Sequence, residues 1–378
     1  MTSPKPHYAL EKTLRGHRGA VLCLSATTSG AMLASGGTDG VKLWRLDKMT
    51  KIRTPAEAGL RGAATALAWI RGEDDRGEAL TFGTQAGYVV CWKQEEGEFV
   101  EVDCARLANA SEITSIGFDP ASNRIAIASR AGVVQLCGLD NSKRLSPIFT
   151  VSMQNHLPKT IAFSTTPKAG GGRPMITFGM HDGLICTLKS ADGKVETTQN
   201  VGAKIGHAAV DLQKGVFCLD LPDEGAALYK VGDGTRIRTF PVPVKKSAQP
   251  WQVTFAEECR VVISGSDHGI VYTFDRSSEE AETLVTGNVE RVQTVMATEL
   301  DGTPVVIAAQ SQERDDFANI YIWKKKKVSV TIPEVVKEPL TRTTNVWALF
   351  AIAAGLLLLY QNLVPIIFAL IGAFGLWW

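Results

Sequence analysis

The chain has 378 residues, of which 45% are hydrophobic and 21% charged, a composition that allows a sizeable core and excludes a largely disordered protein. Its 40 basic and 39 acidic residues nearly cancel, so the overall charge does not favour nucleic-acid binding. Seven single cysteines without a CxxC pair predict reduced core thiols rather than a disulfide framework.

The first predicted element is the β-type segment YALEKTL at 8–14, which precedes a series of similar units. Each unit begins with a short apolar strand, such as AVLCLSAT at 20–27. Two further strands follow around a tight polar turn, and a more polar fourth strand ends the unit, such as EFVEVDCARL at 98–107. Helical periodicity is nearly absent before residue 340, so the sequence predicts an all-β protein.

A glycine closes the tight turn in six of the seven units, and successive turns are 42 to 51 residues apart. This spacing is typical of propeller blades, so we expect a seven-bladed β-propeller over 8–330, with six or eight blades as alternatives. Segment 8–14 is expected to supply the outer strand of the last blade and so to close the ring. The turn glycines are Gly40, Gly87, Gly132, Gly183, Gly225 and Gly269.

The first unit contains a Gly16-His17 pair, followed by Ser35, Asp39 and Trp44. It resembles a WD repeat, and the resemblance implies that His17, Ser35, Asp39 and Trp44 form one hydrogen-bonded set. Such a set is physically sensible, because an imidazole, a hydroxyl, a carboxylate and an indole N–H can satisfy one another when buried. Asp39 is therefore predicted to be a structural turn residue rather than a catalytic one.

The resemblance to WD repeats is weaker in the later units. Unit 2 keeps Trp92 but has Gln85 in place of the turn carboxylate, and units 4 and 6 keep Asp182 and Asp267 but have threonine in the tryptophan position. The chain thus resembles a degenerate WD-repeat propeller.

No motif in the sequence predicts catalysis: HExxH, GxSxG and the Walker loop are all missing. The sequences HDG at 181–183 and DHG at 267–269 could converge on a metal at the ring axis, but turn formation explains them better. We therefore predict a protein that is not an enzyme, with no catalytic residue, no cofactor and no metal.

The turns between second and third strands should share one rim of the ring, where a rigid scaffold can bind protein partners. The alternative is a solvated face without a partner. The candidate interaction residues are Gln85, Arg130, His181, Asp182, Asp223, Glu224, Asp267, His268 and Arg314.

Residues 346–378 contain no charged side chain and are predicted to form a transmembrane helical segment, after a juxtamembrane linker at 331–345. Residues 1–7 are expected to form an N-terminal tail. One tilted span is favoured over a hairpin about QNLVP at 361–365, because a hairpin would bury two amides in hydrocarbon. The predicted anchor residues include Val346, Trp347, Leu356, Pro365, Trp377 and Trp378.

The lysine run at 324–327 places the propeller on the cytosolic side of this anchor. No signal peptide is visible, so the chain resembles a tail-anchored protein, with the endoplasmic reticulum as the expected membrane. The predicted function is a membrane-anchored WD-repeat scaffold or adaptor that binds protein partners through its rim and the lipid bilayer through its anchor, with no nucleic acid.

The alternative function is that of an ER-membrane guanine nucleotide exchange factor for a small GTPase of vesicle-coat assembly. The order of propeller and anchor resembles those proteins, which act through a cation-binding loop early in the ring. No segment matches that loop clearly, and DDRGE at 74–78 is short.

Overall fold

The computed structural model describes residues 7–56, 59–71, 77–107, 111–167, 172–246, 249–278, 280–287, 289–312, 317–326 and 346–374, with the side chains of 350–366 in the last range. These residues form 28 strands and one helix. The chain divides into two compact units, Met1–Lys326 and Lys327–Trp378.

The strands of the first unit fall into seven groups of four, which we call blades 1 to 7. Blade 1 contains β2 (Val21–Ala26), β3 (Met32–Gly37), β4 (Gly40–Arg45) and β5 (Thr50–Ile52); blade 2 contains β6 (Ala64–Ile70), β7 (Ala79–Thr84), β8 (Tyr88–Glu95) and β9 (Glu98–Arg106). Blade 3 contains β10 (Ile113–Asp119), β11 (Arg124–Ser129), β12 (Val133–Leu139) and β13 (Leu145–Ser152); blade 4 contains β14 (Pro158–Phe163), β15 (Met175–Gly179), β16 (Leu184–Leu188) and β17 (Val195–Asn200). Blade 5 contains β18 (His207–Asp211), β19 (Val216–Leu221), β20 (Gly225–Lys230) and β21 (Arg236–Phe240); blade 6 contains β22 (Val253–Ala256), β23 (Val261–Ser264), β24 (Ile270–Asp275) and β25 (Ala281–Val285). Blade 7 contains β26 (Thr294–Leu300), β27 (Thr303–Ala309), β28 (Phe317–Lys325) and β1 (Tyr8–Arg18).

Each blade is an antiparallel sheet whose strands follow one another in chain order, except in blade 7. There the order is β26-β27-β28-β1, and β1 pairs with β28 from Tyr8 opposite Lys325 to Arg18 opposite Phe317. The first strand of the chain therefore forms the outer strand of the last blade. The predictions of a seven-bladed all-β propeller and of ring closure by the N-terminal segment are confirmed.

Contacts between neighbouring blades run through the first strand of each, so these first strands surround the axis of the ring. The turn between second and third strands lies beside the start of the first strand: the Thr38 amide donates to the Ala20 carbonyl at 3.0 Å and the Gln85 amide to the Ala63 carbonyl at 2.9 Å. These turns and the links between blades thus share one face, which we call the top face.

The core consists of apolar layers between adjacent blades. Leu33 and Trp44 of blade 1 pack with Ile307 and Ile320 of blade 7, so the same layer that stabilises a blade also joins the two ends of the ring. Fully burying a side chain of this size contributes about 1.5–3 kcal/mol.

All six predicted turn glycines adopt positive φ, between 69° and 103°. At Gly225 the backbone also passes so close to the outer strand that an added Cβ would lie 2.4 Å from the Phe240 carbonyl oxygen. The repeat of glycine in the sequence therefore reflects a backbone conformation that other residues adopt with strain.

The second unit contains α1 (Val346–Phe374), a single helix that includes Pro365. It continues through 361–365, where the alternative hairpin would have turned. Leu356 and Pro365 lie on this helix, whereas Trp377, Trp378 and the linker at 331–345 lie outside the described residues. Among the residues that the structure describes, no helix is both long and apolar enough to cross a membrane, so the predicted transmembrane segment is not supported.

Candidate interaction face and axial channel

The structure brings the four WD-type residues of blade 1 together. His17, at the end of β1, lies 2.7 Å from the Ser35 hydroxyl through Nε2 and 2.5 Å from Asp39 Oδ1 through Nδ1. The Trp44 indole N–H donates to Ser35 Oγ at 2.8 Å. Because His17 belongs to the strand that closes the ring, this set links blade 7 to blade 1.

The Asp39 carboxylate has two further partners, the Arg18 amide at 2.9 Å and the Lys42 ammonium at 2.7 Å. Burial alone would raise the pKa of Asp39, but the hydrogen bonds from His17, Lys42 and the Arg18 amide outweigh it and lower the pKa. Burial lowers the pKa of His17. The charged Asp39 carboxylate therefore faces the neutral His17 imidazole. Both side chains have their hydrogen-bond partners within the protein.

Blade 4 contains a second set of this kind, which the sequence analysis missed. His156 Nδ1 lies 3.0 Å from Asp182 Oδ2, and His156 Nε2 lies 3.0 Å from the Thr177 hydroxyl. Asp182 also accepts hydrogen bonds from the Leu157 and Leu184 amides. Asp182 was predicted to face partners at the rim, but its carboxylate is used within the blade. The sequence does contain a signal for this pair: the separation between His156 and Asp182 is close to that between His17 and Asp39.

Asp267 and His268 of blade 6 do not belong to an exposed rim, because only 2% and 5% of their surfaces are exposed. Asp267 accepts from the Lys245 amide at 3.0 Å and lies 2.6 Å from His268 Nδ1, whose other ring nitrogen is 2.9 Å from the Tyr272 hydroxyl. The prediction that Asp267 and His268 bind partners is therefore wrong. Their hydrogen bonds instead join the link at Lys245 to the turn between β23 and β24.

The other rim residues that the structure describes are exposed, and two of them are in ion pairs. Arg130 lies 3.0 Å from Glu112, and Glu224 lies 2.6 Å from Arg236. Arg314 lies outside the described residues. No group of three or more metal-ligating side chains occurs in the described parts of the chain, so HDG and DHG do not form a shared metal site there. The exposed members of the predicted rim are Gln85, Arg130, His181, Asp223 and Glu224.

Large apolar side chains are exposed on the same top face, in the links and in one turn between second and third strands. Leu60 is 80% exposed, Val289 71% and Phe317 62%. The other exposed apolar side chains of the described propeller lie mostly on outer strands. Single apolar residues in links have no periodic pattern, so the sequence did not reveal these exposed side chains, which are Leu60, Leu157, Val244, Val289 and Phe317.

A channel of about 410 Å³ follows the axis of the ring and is lined by the first strands of the blades. Near its top mouth lie Ser115, Lys159 and His207, on blades 3, 4 and 5. Burial, together with the charge of Lys159, lowers the pKa of His207 to about 3, so His207 is neutral near pH 7.

Polar side chains at the start of the first strands join every pair of neighbouring blades. Each bond connects a side chain of one blade to a backbone group of the next, so the top end of the channel is surrounded by a closed ring of hydrogen bonds. From junction 1–2 to junction 7–1, the bonds are Cys23 Sγ to Ala64 O (3.4 Å), Thr65 Oγ1 to Ile113 O (2.7 Å), Thr114 Oγ1 to Pro158 O (2.5 Å), Ala208 N to Thr160 Oγ1 (3.3 Å), Val253 N to His207 Nδ1 (3.4 Å), Val295 N to Gln252 Oε1 (3.3 Å) and Thr294 Oγ1 to Val21 O (3.3 Å).

The junction between blades 5 and 6 also buries a carboxyl group. Asp220 Oδ2 accepts from the Trp251 amide at 2.8 Å, while Oδ1 has no hydrogen-bond partner among the described residues. Burial raises the pKa of Asp220 well above its usual value, and the Trp251 amide opposes that rise only in part. Burial thus disfavours the charged form of the Asp220 carboxyl group.

Comparison with known proteins agrees with this architecture. Residues 9–45, which include β1 to β4, match the WD domain, G-beta repeat family. Among solved structures the chain is similar to Sqt1 of Saccharomyces cerevisiae, with a TM-score of 0.64 and 11% sequence identity over 83% of this chain and 98% of that one. At this identity the similarity shows the fold alone. No curated protein sequence matches the chain. The predicted resemblance to WD-repeat propellers is confirmed.

Proposed function

We propose that this propeller is a protein-interaction scaffold whose top face binds protein partners. The observation that supports it most directly is the set of large apolar side chains exposed on that face, Leu60, Leu157, Val244, Val289 and Phe317. Large exposed apolar side chains are common anchors of protein interfaces. The propeller beneath them is rigid, because each blade packs on its neighbours and the ring is closed by β1.

The charges of the top face fit this role. Asp39, Asp182 and Asp267 are engaged in hydrogen bonds within the fold, whereas Gln85, His181 and Asp223 are exposed on the same face as the apolar side chains. Protein–protein interfaces commonly combine apolar and polar side chains. WD propellers in general act as such scaffolds, and the WD repeat at residues 9–45 agrees with the proposal.

The test compares partner capture by three forms of the protein in cells. In the first variant Leu60, Val289 and Phe317 are each replaced by Asp; in the matched control Ile148 and Ile237, which are exposed on outer strands, are replaced instead. Proteins labelled by proximity to the propeller are then compared. The top-face variant should lose its specific partners, since single anchor residues commonly contribute a factor of ten in affinity. An unchanged set of partners in that variant, with both variants folded, contradicts the proposal.

We also propose that the scaffold is attached to a membrane through 346–378, with the propeller on the cytosolic side and the endoplasmic reticulum as the membrane. The supports are the 33 uncharged residues of that segment and the lysine run at 324–327. Alkaline carbonate extraction tests the attachment. The unaltered protein should stay in the membrane pellet, and the variant Leu356→Arg/Leu359→Arg should be released. Release of the unaltered protein would argue against the anchor.

We do not advance the exchange-factor function, because it rests on the order of propeller and predicted anchor alone. Most of the short segment DDRGE at 74–78 also lies outside the described residues.

A further inference from the structure

The top mouth of the axial channel contains an ammonium group without a partner. Lys159, the second residue of β14, lines the channel and makes no hydrogen bond or ion pair with any described residue. Two other cations of the propeller do form ion pairs: Arg61 pairs with Glu101, and Arg130 pairs with Glu112. The nearby Glu112 carboxylate is therefore already engaged by Arg130.

The side chain next to Lys159 along the ring is a hydrogen-bond donor. His207 Nδ1 accepts the Val253 amide across the junction of blades 5 and 6, so the neutral ring must carry its proton on Nε2. His207 Nε2 makes no hydrogen bond within the described part of the chain, although the ring lines the channel.

A third donor comes from blade 3. Ser115 Oγ accepts the Ile161 amide at 3.1 Å, which leaves its own O–H free to donate. Ser115, Lys159 and His207 stand on three successive first strands, near the end that opens to the top face. The other ionisable groups of the lining do not compete. Burial raises the pKa of the Cys23 thiol to about 12, and Asp211 lies at the opposite end of β18, where it accepts from the Lys214 amide.

A partly exposed ammonium that lines the channel beside two neutral donors is a site that lacks an acceptor. Burial lowers the pKa of Lys159, and the negative charge of Glu112 offsets this only in part. A carboxylate or phosphate oxygen accepts several hydrogen bonds at once and supplies the missing negative charge. The channel volume of about 410 Å³ is ample for one such group.

We propose that the top mouth of the channel binds an oxyanion, a carboxylate or a phosphate group, between the Lys159 ammonium, the His207 Nε2–H and the Ser115 hydroxyl. The group belongs either to a free anion or to an acidic side chain that enters from the top face. The site goes beyond the proposed scaffold function and does not depend on it, since an anion can bind whether or not the exposed apolar side chains of the top face bind a partner.

The test is calorimetric titration of the purified full chain at pH 7 and constant ionic strength, with two probes. Inorganic phosphate represents a free anion, and N-acetyl-O-phosphoserine N-methylamide represents a side chain. Lys159→Met should weaken binding of either probe at least about tenfold, because it removes a charged donor. The matched control Lys204→Met removes an exposed lysine from a link of the same face and should change affinity less than about twofold. The probe that binds more tightly identifies the source of the group.

A second measurement needs no variant. Amine-directed acylation of the unaltered protein, mapped by mass spectrometry, should show that phosphate protects Lys159 and leaves Lys204 reactive. Saturable binding lost in Lys159→Met, or selective protection of Lys159, supports the site. Absence of saturable binding by both probes up to about 10 mM, equal binding by Lys159→Met, or equal labelling with and without phosphate overturns it. Neither measurement depends on partner capture, so failure of the anion site can be told apart from failure of the scaffold function.

Discussion

Trp44 and Trp92 occupy matching positions in blades 1 and 2, yet the same substitution should affect them differently. Both indoles are buried on the third strand of their blade. The Trp44 N–H donates to Ser35 at 2.8 Å, whereas the Trp92 N–H has no acceptor among the described residues and its ring packs edge-on against Phe82 at 4.8 Å. Blade 2 thus keeps the ring of a WD-type tryptophan without its hydrogen-bonded set.

Replacing tryptophan by phenylalanine deletes the same atoms at both sites, so the packing loss largely cancels in the comparison. At Trp44 the change removes a hydrogen bond worth about 1 kcal/mol. At Trp92 it removes an unsatisfied donor, whose burial costs about 1–3 kcal/mol. Trp44→Phe should therefore lower the free energy of unfolding by roughly 2–4 kcal/mol more than Trp92→Phe does.

Urea unfolding of the two variants and the unaltered chain, followed by circular dichroism, measures this difference through the transition midpoints. Ser35→Ala serves as a control, because it removes the same acceptor from the other side and should reduce the effect of Trp44→Phe. Equal midpoints for the two tryptophan variants would refute the reasoning, since they would mean that the Trp92 N–H is satisfied.

Three further substitutions test other buried polar groups by thermal unfolding. Asp39→Ala should cost about 2–4 kcal/mol at pH 7, because His17 and the Arg18 amide lose their acceptor; since the folded pKa of Asp39 is lowered, that difference should shrink as the pH falls below about 4. Asp220→Asn should raise the melting temperature, and more at pH 8 than at pH 4, because the folded pKa of Asp220 is raised and its stability contribution is lost as the pH rises. Thr65→Val should cost about 1–2 kcal/mol, because it removes the 2.7 Å bond to the Ile113 carbonyl and so loosens the junction of blades 2 and 3.

Each of the three expectations has its own contrary result. The Asp39 account fails if the loss of stability is the same at pH 7 and pH 3, or no larger than for the exposed Asp47→Ala. A lower melting temperature for Asp220→Asn at pH 8 would show that the charged carboxylate has partners. For Thr65→Val, an unchanged midpoint would mean that the junction bond contributes nothing net.

The sequence predicts those parts of the fold that depend on local conformation. Gly40, Gly87 and Gly132 occur where the backbone requires positive φ, and the near-constant distance between them reports the length of a blade. The hydrogen-bonded set of blade 1 could be anticipated because His17, Ser35, Asp39 and Trp44 occur together. These signals can be read within one unit, without knowledge of which blades meet.

The polar contacts between blades could not be predicted in this way. Thr65 and Thr114 look like ordinary residues of a β-strand, and only the ring places their hydroxyls against carbonyls some 45 residues away. Asp267 and His268 read as a polar turn, yet the link at Lys245 covers them. Exposed apolar residues such as Leu60 follow no sequence pattern, so only the structure places them on the face where the turns were predicted to bind partners.

Pairing of the first strand with the last has a consequence for the order in which the protein is made. The partner of Tyr8 is Lys325, so the N-terminal strand leaves the ribosome about 300 residues before the strand it will bind. At about 5–20 residues per second this is a delay of roughly 15–60 seconds. During that interval β1, the strand that carries His17, is not yet paired with β28, so His17 is not held against Ser35 and Asp39 of blade 1. The edge of the Tyr8–Arg18 segment is also open to pairing with other chains. The newly made protein is thus most exposed to aggregation before translation ends, and a chaperone that holds the nascent N-terminus would have its greatest effect in that window.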